Sequence, residues 1–374
     1  MRGIYIHIPF CRQACRYCDF YFSVSLQHLD PFVDALVEEV RQKGERNKGH
    51  SLETLYLGGG TPSLLSGSHL DKIINAIYKY HTFQENPEWT IECNPDDLNV
   101  NSINSLRNQG FNRLSIGIQS FHERDLEIMK RSHNAEQAHM SVNQASSGGF
   151  ENISIDLIYG IPGQSLARWE ENIEKALSLP ISHLSAYHLT FEPGTVFDHW
   201  RKKGKIFPVL EEESVDQYTM LRKKLISAGF DHYELSNFGR GTQSKHNMLY
   251  WSGDAYLGLG PSAHSYDGEN RSWNSPSLKI YMEGIMSGEE ILKTEHLTMQ
   301  EKYHDYLITS LRTKKGVNPS HIEEAFGLPF RLHFEKQAQT FLNSGSMSHA
   351  SGRMRIEPGQ WLITDHILRA LFID

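Results

Sequence analysis

The fold is decided by residues 3–20, "GIYIHIPFCRQACRYCDF". "GIYIHI" (3–8) reads as a short strand, and "CRQACRYCDF" (11–20) follows it at once. Cys11, Cys15 and Cys18 stand there at intervals of four and three. The pattern of a strand, a chemically loaded loop and then a helix recurs down the chain. "TLYLGGG" (54–60), "EWTIECNP" (88–95), "FNRLSIGIQS" (111–120), "ISIDLIYGIPG" (153–163) and "HLSAYHLT" (183–190) read as strands. Helices are predicted between them. "DPFVDALVEEVRQKG" (30–44) has an Asp-Pro start and a glycine stop. "LDKIINAIYKYH" (70–81) and "VNSINSLRNQG" (100–110) follow, with more around 123–130, 134–147 and 166–178. Six β/α units with short loops predict a parallel sheet covered by helices, either an open doubly wound sheet or an incomplete barrel. Both put the functional loops at the C-terminal ends of the strands. The cysteine segment, "GGGTPS", "CNPDD", "QSF" and "GIPGQ" all fall on that edge.

The chain has 374 residues, room for one large domain and a smaller one. Its net charge is −8 and no long basic block occurs, which argues against a general nucleic-acid surface while leaving room for a local patch. No apolar run is long enough to span a bilayer. No secretory pattern opens the chain, so a cytoplasmic protein is expected, one that could also sit peripherally at a membrane. Four cysteines in a reducing compartment point to metal or redox chemistry more than to disulfides.

Three readings of the cysteine loop stand side by side. Zinc could take the three thiolates with His7 or Asp19 as fourth ligand. A disulfide plus a spare thiol is the second. A [4Fe–4S] cluster held by three thiolates, with one iron open to a small molecule, is the third.

Cys-x3-Cys-x2-Cys after the first strand of a β/α repeat resembles the radical S-adenosylmethionine (SAM) superfamily. Further motifs narrow this: "YIHIPFC", "GGGTPS", "IECNPD", "RLSIGIQSF", "DLIYGIPGQ", "LSAYHLTFEPGT", "YELSNF" and "HNMLYW…YLGLGPSAHS". From residue 4 to about 265 they resemble the oxygen-independent coproporphyrinogen III oxidase group, and within it the branch of HemW-type haem chaperones. The resemblance implies an α/β fold: an incomplete parallel (β/α)6 barrel with a small mixed α/β C-terminal domain. It also implies a [4Fe–4S] cluster on Cys11, Cys15 and Cys18, with SAM on its open iron.

Carried over from the family, Tyr5 and Tyr17 flank SAM, and Gly59, Gly60 and Thr61 meet its methionine end. Glu92, Gln119, Arg131 and Asp156 take its polar groups. The residues give independent support. Glycines at the mouth of a strand let backbone N–H groups approach a carboxylate. Glu92 and Asp156 sit in or at the end of apolar strands, where a carboxylate needs a partner; a cation, an amine or a ribose would serve, and so would a neighbouring arginine. Cys93 alternates with Glu92 and is expected to face the other way, as a buried structural thiol.

The resemblance also sets the functional expectation. The true oxidases carry a further cysteine two residues after the third, where this chain has Phe20, and an N-terminal extension, whereas this chain starts directly at strand one. The branch therefore implies a haem chaperone that passes haem to apo-haemoproteins, with the oxidative decarboxylation of coproporphyrinogen III as the alternative. Decarboxylase activity is expected to be absent, and any enzymatic use of SAM stays open, with an electron donor required if SAM is cleaved. A dimer is compatible with this reading. His246, Asn247, Tyr250 and Trp251 form a polar-aromatic group with two readings, haem binding or a brace for the C-terminal domain. Residues 1–230 are expected to be the radical SAM core, 231–297 a Gly- and aromatic-rich extension, and 298–374 a helical, winged-helix-like domain.

Overall fold

A computed structural model describes residues 1–289 and 291–373. Six strands, β1 (Gly3–Ile8), β2 (Ser51–Gly59), β3 (Thr82–Cys93), β4 (Arg113–Gln119), β5 (Asn152–Tyr159) and β6 (His183–His188), lie side by side in chain order and all parallel. The helices between them are α1 (Leu29–Arg46), α2 (Gly67–Tyr78), α3 (Val100–Asn108), α4 (Glu123–Met129), α5 (Ala135–Ser147) and α6 (Leu166–Ser178). β1 and β6 do not pair with each other, so the barrel stays incomplete.

Each open edge is extended by later chain. Beyond β6 run the antiparallel β8 (Asn237–Gly239) and β7 (Asp231–Glu234). Beyond β1 runs the parallel β9 (Tyr256–Leu259), then antiparallel β10 (His264–Tyr266), β11 (Asn270–Asn274) and β12 (Leu292–His296). The sequence of 231–297 shows no long helical period, and it supplies these edge strands plus two short helices, α9 (Lys245–Ser252) and α10 (Leu278–Ser287). Two helices escaped the sequence reading, α7 (Val196–Lys202) and α8 (Glu211–Ser227). The apolar face of α8 is interrupted: buried Gln217 holds the Gly160 N–H (2.8 Å) and the Gln164 carbonyl (3.2 Å).

Alternation along the strands separates two environments. Ile4, Ile6 and Ile8 of β1 point outward into a core shared with Phe32, Val33 and Leu36 of α1. The other face carries Tyr5 and His7, Thr54 and Tyr56, Thr90 and Glu92, Arg113 and Ser115, Ser154 and Asp156, and His183 and Ser185. A parallel sheet usually buries apolar side chains on both faces. Here the concave face is a polar-aromatic lining tied by hydrogen bonds: His183 to Ser154 Oγ and to the Tyr233 hydroxyl (both 2.7 Å), and the Tyr56 hydroxyl to Glu92 (2.8 Å).

α9 closes the N-terminal end of this lining. The carboxylate of Glu88 accepts from the backbone N–H groups of Lys245 and His246 (both 3.1 Å), completing the helix cap that Ser244 begins. A separate apolar core joins α11 (Met299–Leu311), α12 (Pro319–Phe326), α13 (Leu328–Asn343), the hairpin of β13 (Met347–Ala350) and β14 (Arg353–Ile356), and α14 (Thr364–Leu371). No helix among the described residues is long and apolar enough to cross a membrane.

Candidate functional site

A cavity of about 460 Å³ opens at the C-terminal ends of β1–β6. One wall is the cysteine loop, held from three directions. From the second strand, Gly60 N–H donates to Ile8 O (2.8 Å) and Thr61 N–H to Phe10 O (2.7 Å). From the loop's own return, Cys11 N–H donates to Ser23 O (3.0 Å). From α4, Met129 O accepts Arg16 N–H (3.0 Å), while the Arg16 guanidinium reaches the carbonyls of Glu127 and Ile128 (both 3.2 Å). Glycine at position 60 is dictated by this contact. A Cβ there would lie 2.7 Å from both the Ile8 and Phe10 carbonyl oxygens.

Cys11, Cys15, Cys18, Tyr17, Gly59, Gly60, Thr61, Glu92, Gln119, Arg131 and Asp156 all line this cavity. Arg131 is its organiser. Its guanidinium donates to the Cys15 sulfur and the Tyr17 hydroxyl (both 3.3 Å), to the Gly117 carbonyl (3.0 Å), and to Asn94 Oδ1. Its buried Nε has no protein partner. Glu92 accepts from Tyr56 and from the Gly59 N–H (3.0 Å), yet burial pushes its carboxyl up to about 7. Burial likewise pushes Asp156 up to about 6, and the Asp156 charge adds to the rise at Glu92. Two buried acids with a like-charge neighbour favour a cationic ligand between them. Gln119 enters the cavity with φ +65°, just past a register break in β4.

Tyr5 stands behind the cavity wall. Its hydroxyl is 3.2 Å from His7 Nδ1, and its ring lies against Tyr56 and His246. His7 uses its other nitrogen on the Tyr21 carbonyl (3.0 Å), so neither of its nitrogens is left for zinc. Cys93 is buried, with its sulfur turned back to the Ile91 carbonyl, although the residue borders the cavity beside Glu92.

The structure does not bring His246, Asn247, Tyr250 and Trp251 to the cavity. His246 is 1% exposed in the barrel's closed end, with Nδ1 on Thr54 Oγ1 and Nε2 on the Tyr250 hydroxyl (both 2.7 Å). Burial pushes it down to about 3, so it is neutral. Iron ligation by His246 would require both bonds to open, and the geometry as folded is that of a brace. Sequence reasoning passed over Asn94, Tyr187 and His188, which also line the cavity. Their position at the ends of the third and sixth strands is the signal that could have found them.

Burial pushes the Cys11 thiol up and Cys18 up to about 12. Among the described residues no three His, Cys, Asp or Glu side chains converge as one metal ion would need. Three thiols around a shared cavity, with Arg131 beside them, fit a multi-iron cluster that takes one thiolate per iron.

A model described as the radical SAM superfamily matches residues 5–176. The heme chaperone HemW of Bacillus subtilis is 37% identical over 332 residues, 87% of each chain. That of Synechocystis is 40% identical over 84% of this chain and 78% of its own. The chain belongs to the HemW family. HemW of Lactococcus lactis, at 32% identity, aligns with 99% of it. Membership in the radical SAM superfamily implies a [4Fe–4S] cluster and SAM for this HemW-family chain, and the donor set fits both. Coproporphyrinogen III oxidase of Escherichia coli, a radical SAM enzyme, superposes with a TM-score of 0.86 over 99% of this chain and 89% of its own. At 24% identity, that match establishes the shared fold.

Proposed function

We propose that the protein binds haem and hands it to apo-haemoproteins, on a scaffold that retains the cluster and SAM sites. The observation that carries this is the 32–40% identity, over 84–99% of the chain, to proteins named heme chaperones. Phe20 adds to it. This side chain is 66% exposed at the cavity mouth and can offer neither a thiol nor a metal ligand where the oxidases of the group carry cysteine.

In this reading Cys11, Cys15 and Cys18 hold the cluster, which when bound supplies a single electron to SAM. Gly59, Gly60 and Thr61 present backbone to the methionine end, and Tyr17 flanks it. Glu92 and Asp156 balance the positive charge of the ligand. Gln119 and Arg131 hydrogen-bond its polar groups, and Arg131 also fixes Cys15. We read 1–230 as the radical SAM core, 231–297 as its extension and 298–374 as a C-terminal domain.

The test is a side-by-side assay on anaerobically reconstituted protein. Haem should bind at near-stoichiometric levels, and coproporphyrinogen III with SAM and reductant should remain unchanged. Turnover to protoporphyrinogen IX well above background would replace the carrier by the enzyme.

A further inference from the structure

The segment after β6 carries an exposed basic and apolar patch outside the cysteine cavity's SAM-binding residues. α7 ends in "WRKKGKIF", residues 200–207. Arg201, Lys202, Lys203 and Lys205 are all exposed. Arg201 and Lys202 share the buried Asp198 carboxylate (2.8 and 2.7 Å), which offsets one of their charges. Lys203 and Lys205 make no ion pair among the described residues. Gly204, at φ +65°, turns the chain back, with Lys205 N–H on the Trp200 carbonyl (2.9 Å). Ile206 then packs into a small cluster with Phe197, which anchors the basic turn. Phe207 and Leu210 project beside it, at 68% and 69% exposure. Besides Asp198, the nearest acids along the chain are Glu192 on the cavity wall and Glu211, Glu212 and Glu213, which belong to the first turn of α8.

This patch is wired to the cysteine loop. Phe197 N–H donates to the Arg16 carbonyl (3.1 Å), and the Arg16 guanidinium lies 4.7 Å from the centre of the Trp200 ring. Arg16 is the residue after Cys15. An exposed cationic and apolar patch on a chain of net charge −8 is suited to a negatively charged partner.

We propose that residues 196–210 are the docking surface for a small acidic one-electron carrier, a flavoprotein or an iron–sulfur protein. It delivers its electron past Trp200 and Arg16 to the cysteine loop. The carrier is oxidised by one electron, the cluster is reduced by one, and no atom is transferred. This inference rests on the cluster reading above.

The test compares reconstituted wild type with Lys203→Glu/Lys205→Glu, using flavodoxin as probe. Calorimetric binding of oxidised flavodoxin should be at least about tenfold weaker in the variant, and wild-type binding should weaken with added salt. Cluster reduction by reduced flavodoxin should slow comparably, while reduction by dithionite stays the same. Equal binding and equal reduction rates in the two proteins would overturn the proposal. So would lysine-dependent capture by anionic phospholipid vesicles with flavodoxin reduction unaffected, which would make the patch a membrane surface. If no cluster forms at all, the cofactor reading fails separately, and calorimetry still decides the docking.

Discussion

At the scale of residues, the site is a set of groups whose ordinary state is disturbed by burial. Three thiols have no substitute within reach, so each should be essential to the cluster. Iron and sulfide analysis of Cys11→Ser, Cys15→Ser and Cys18→Ser should show most of the iron lost, while Cys93→Ser, whose sulfur points back into its own strand, should retain it. Full retention in Cys15→Ser would contradict the assignment. The buried acids give a pH signature. Glu92 at about 7 and Asp156 at about 6 lie above their unfolded values, so the native state holds protons that the unfolded chain releases. Their contribution is fully present below about pH 4 and lost as pH rises towards 7. In cofactor-free protein, the gain in unfolding midpoint of Glu92→Gln/Asp156→Asn over wild type should therefore grow from pH 4.5 to 7.5. SAM, by pairing its positive charge with both carboxylates, should shrink it. A gain independent of pH would contradict the charge assignment.

At the scale of elements, the second strand's glycine turn and the closing helix α9 have distinct duties. Gly60 supports the loop that carries Cys11 more than it leaves room for a ligand. Gly60→Ala should push the loop off its two hydrogen bonds, costing about 1–3 kcal/mol of stability and lowering reconstituted iron content. Unchanged iron content with SAM binding lost would instead favour simple filling of the cavity. α9 braces the opposite end of the barrel. His246→Ala should strand the Thr54 and Tyr250 hydroxyls and cost about 3 kcal/mol in denaturant titration. Haem affinity measured well inside the folded range separates that loss from iron ligation. The same elements show what was legible beforehand. The six strands and the helices from α1 to α6 follow from period and punctuation, and so does the edge on which the loops gather. α8 was hidden because its buried face includes Gln217. The place of 231–297 was hidden because short strands that complete another sheet's edges carry no pattern of their own. The spacing of the cysteines marked their loop, whereas the role of Asn94 depends on Arg131 reaching it from 37 residues away.

At the scale of the whole molecule, the polar concave face is reached from one end. Glu92 and Asp156 line the cavity at the C-terminal ends of the strands, while Arg113 and His183 lie buried deeper in the same face. α9 and the Glu88 cap close the other end. The central claim is that the molecule carries haem and releases it. The most direct measurement mixes stoichiometrically haem-loaded protein with an apo-haemoprotein and follows both the recipient's absorption spectrum and its regained activity. Our account predicts near-complete transfer that persists when a free-haem scavenger is present, because haem passes within a complex. Haem retained on the loaded protein, or transfer abolished by the scavenger, would contradict it.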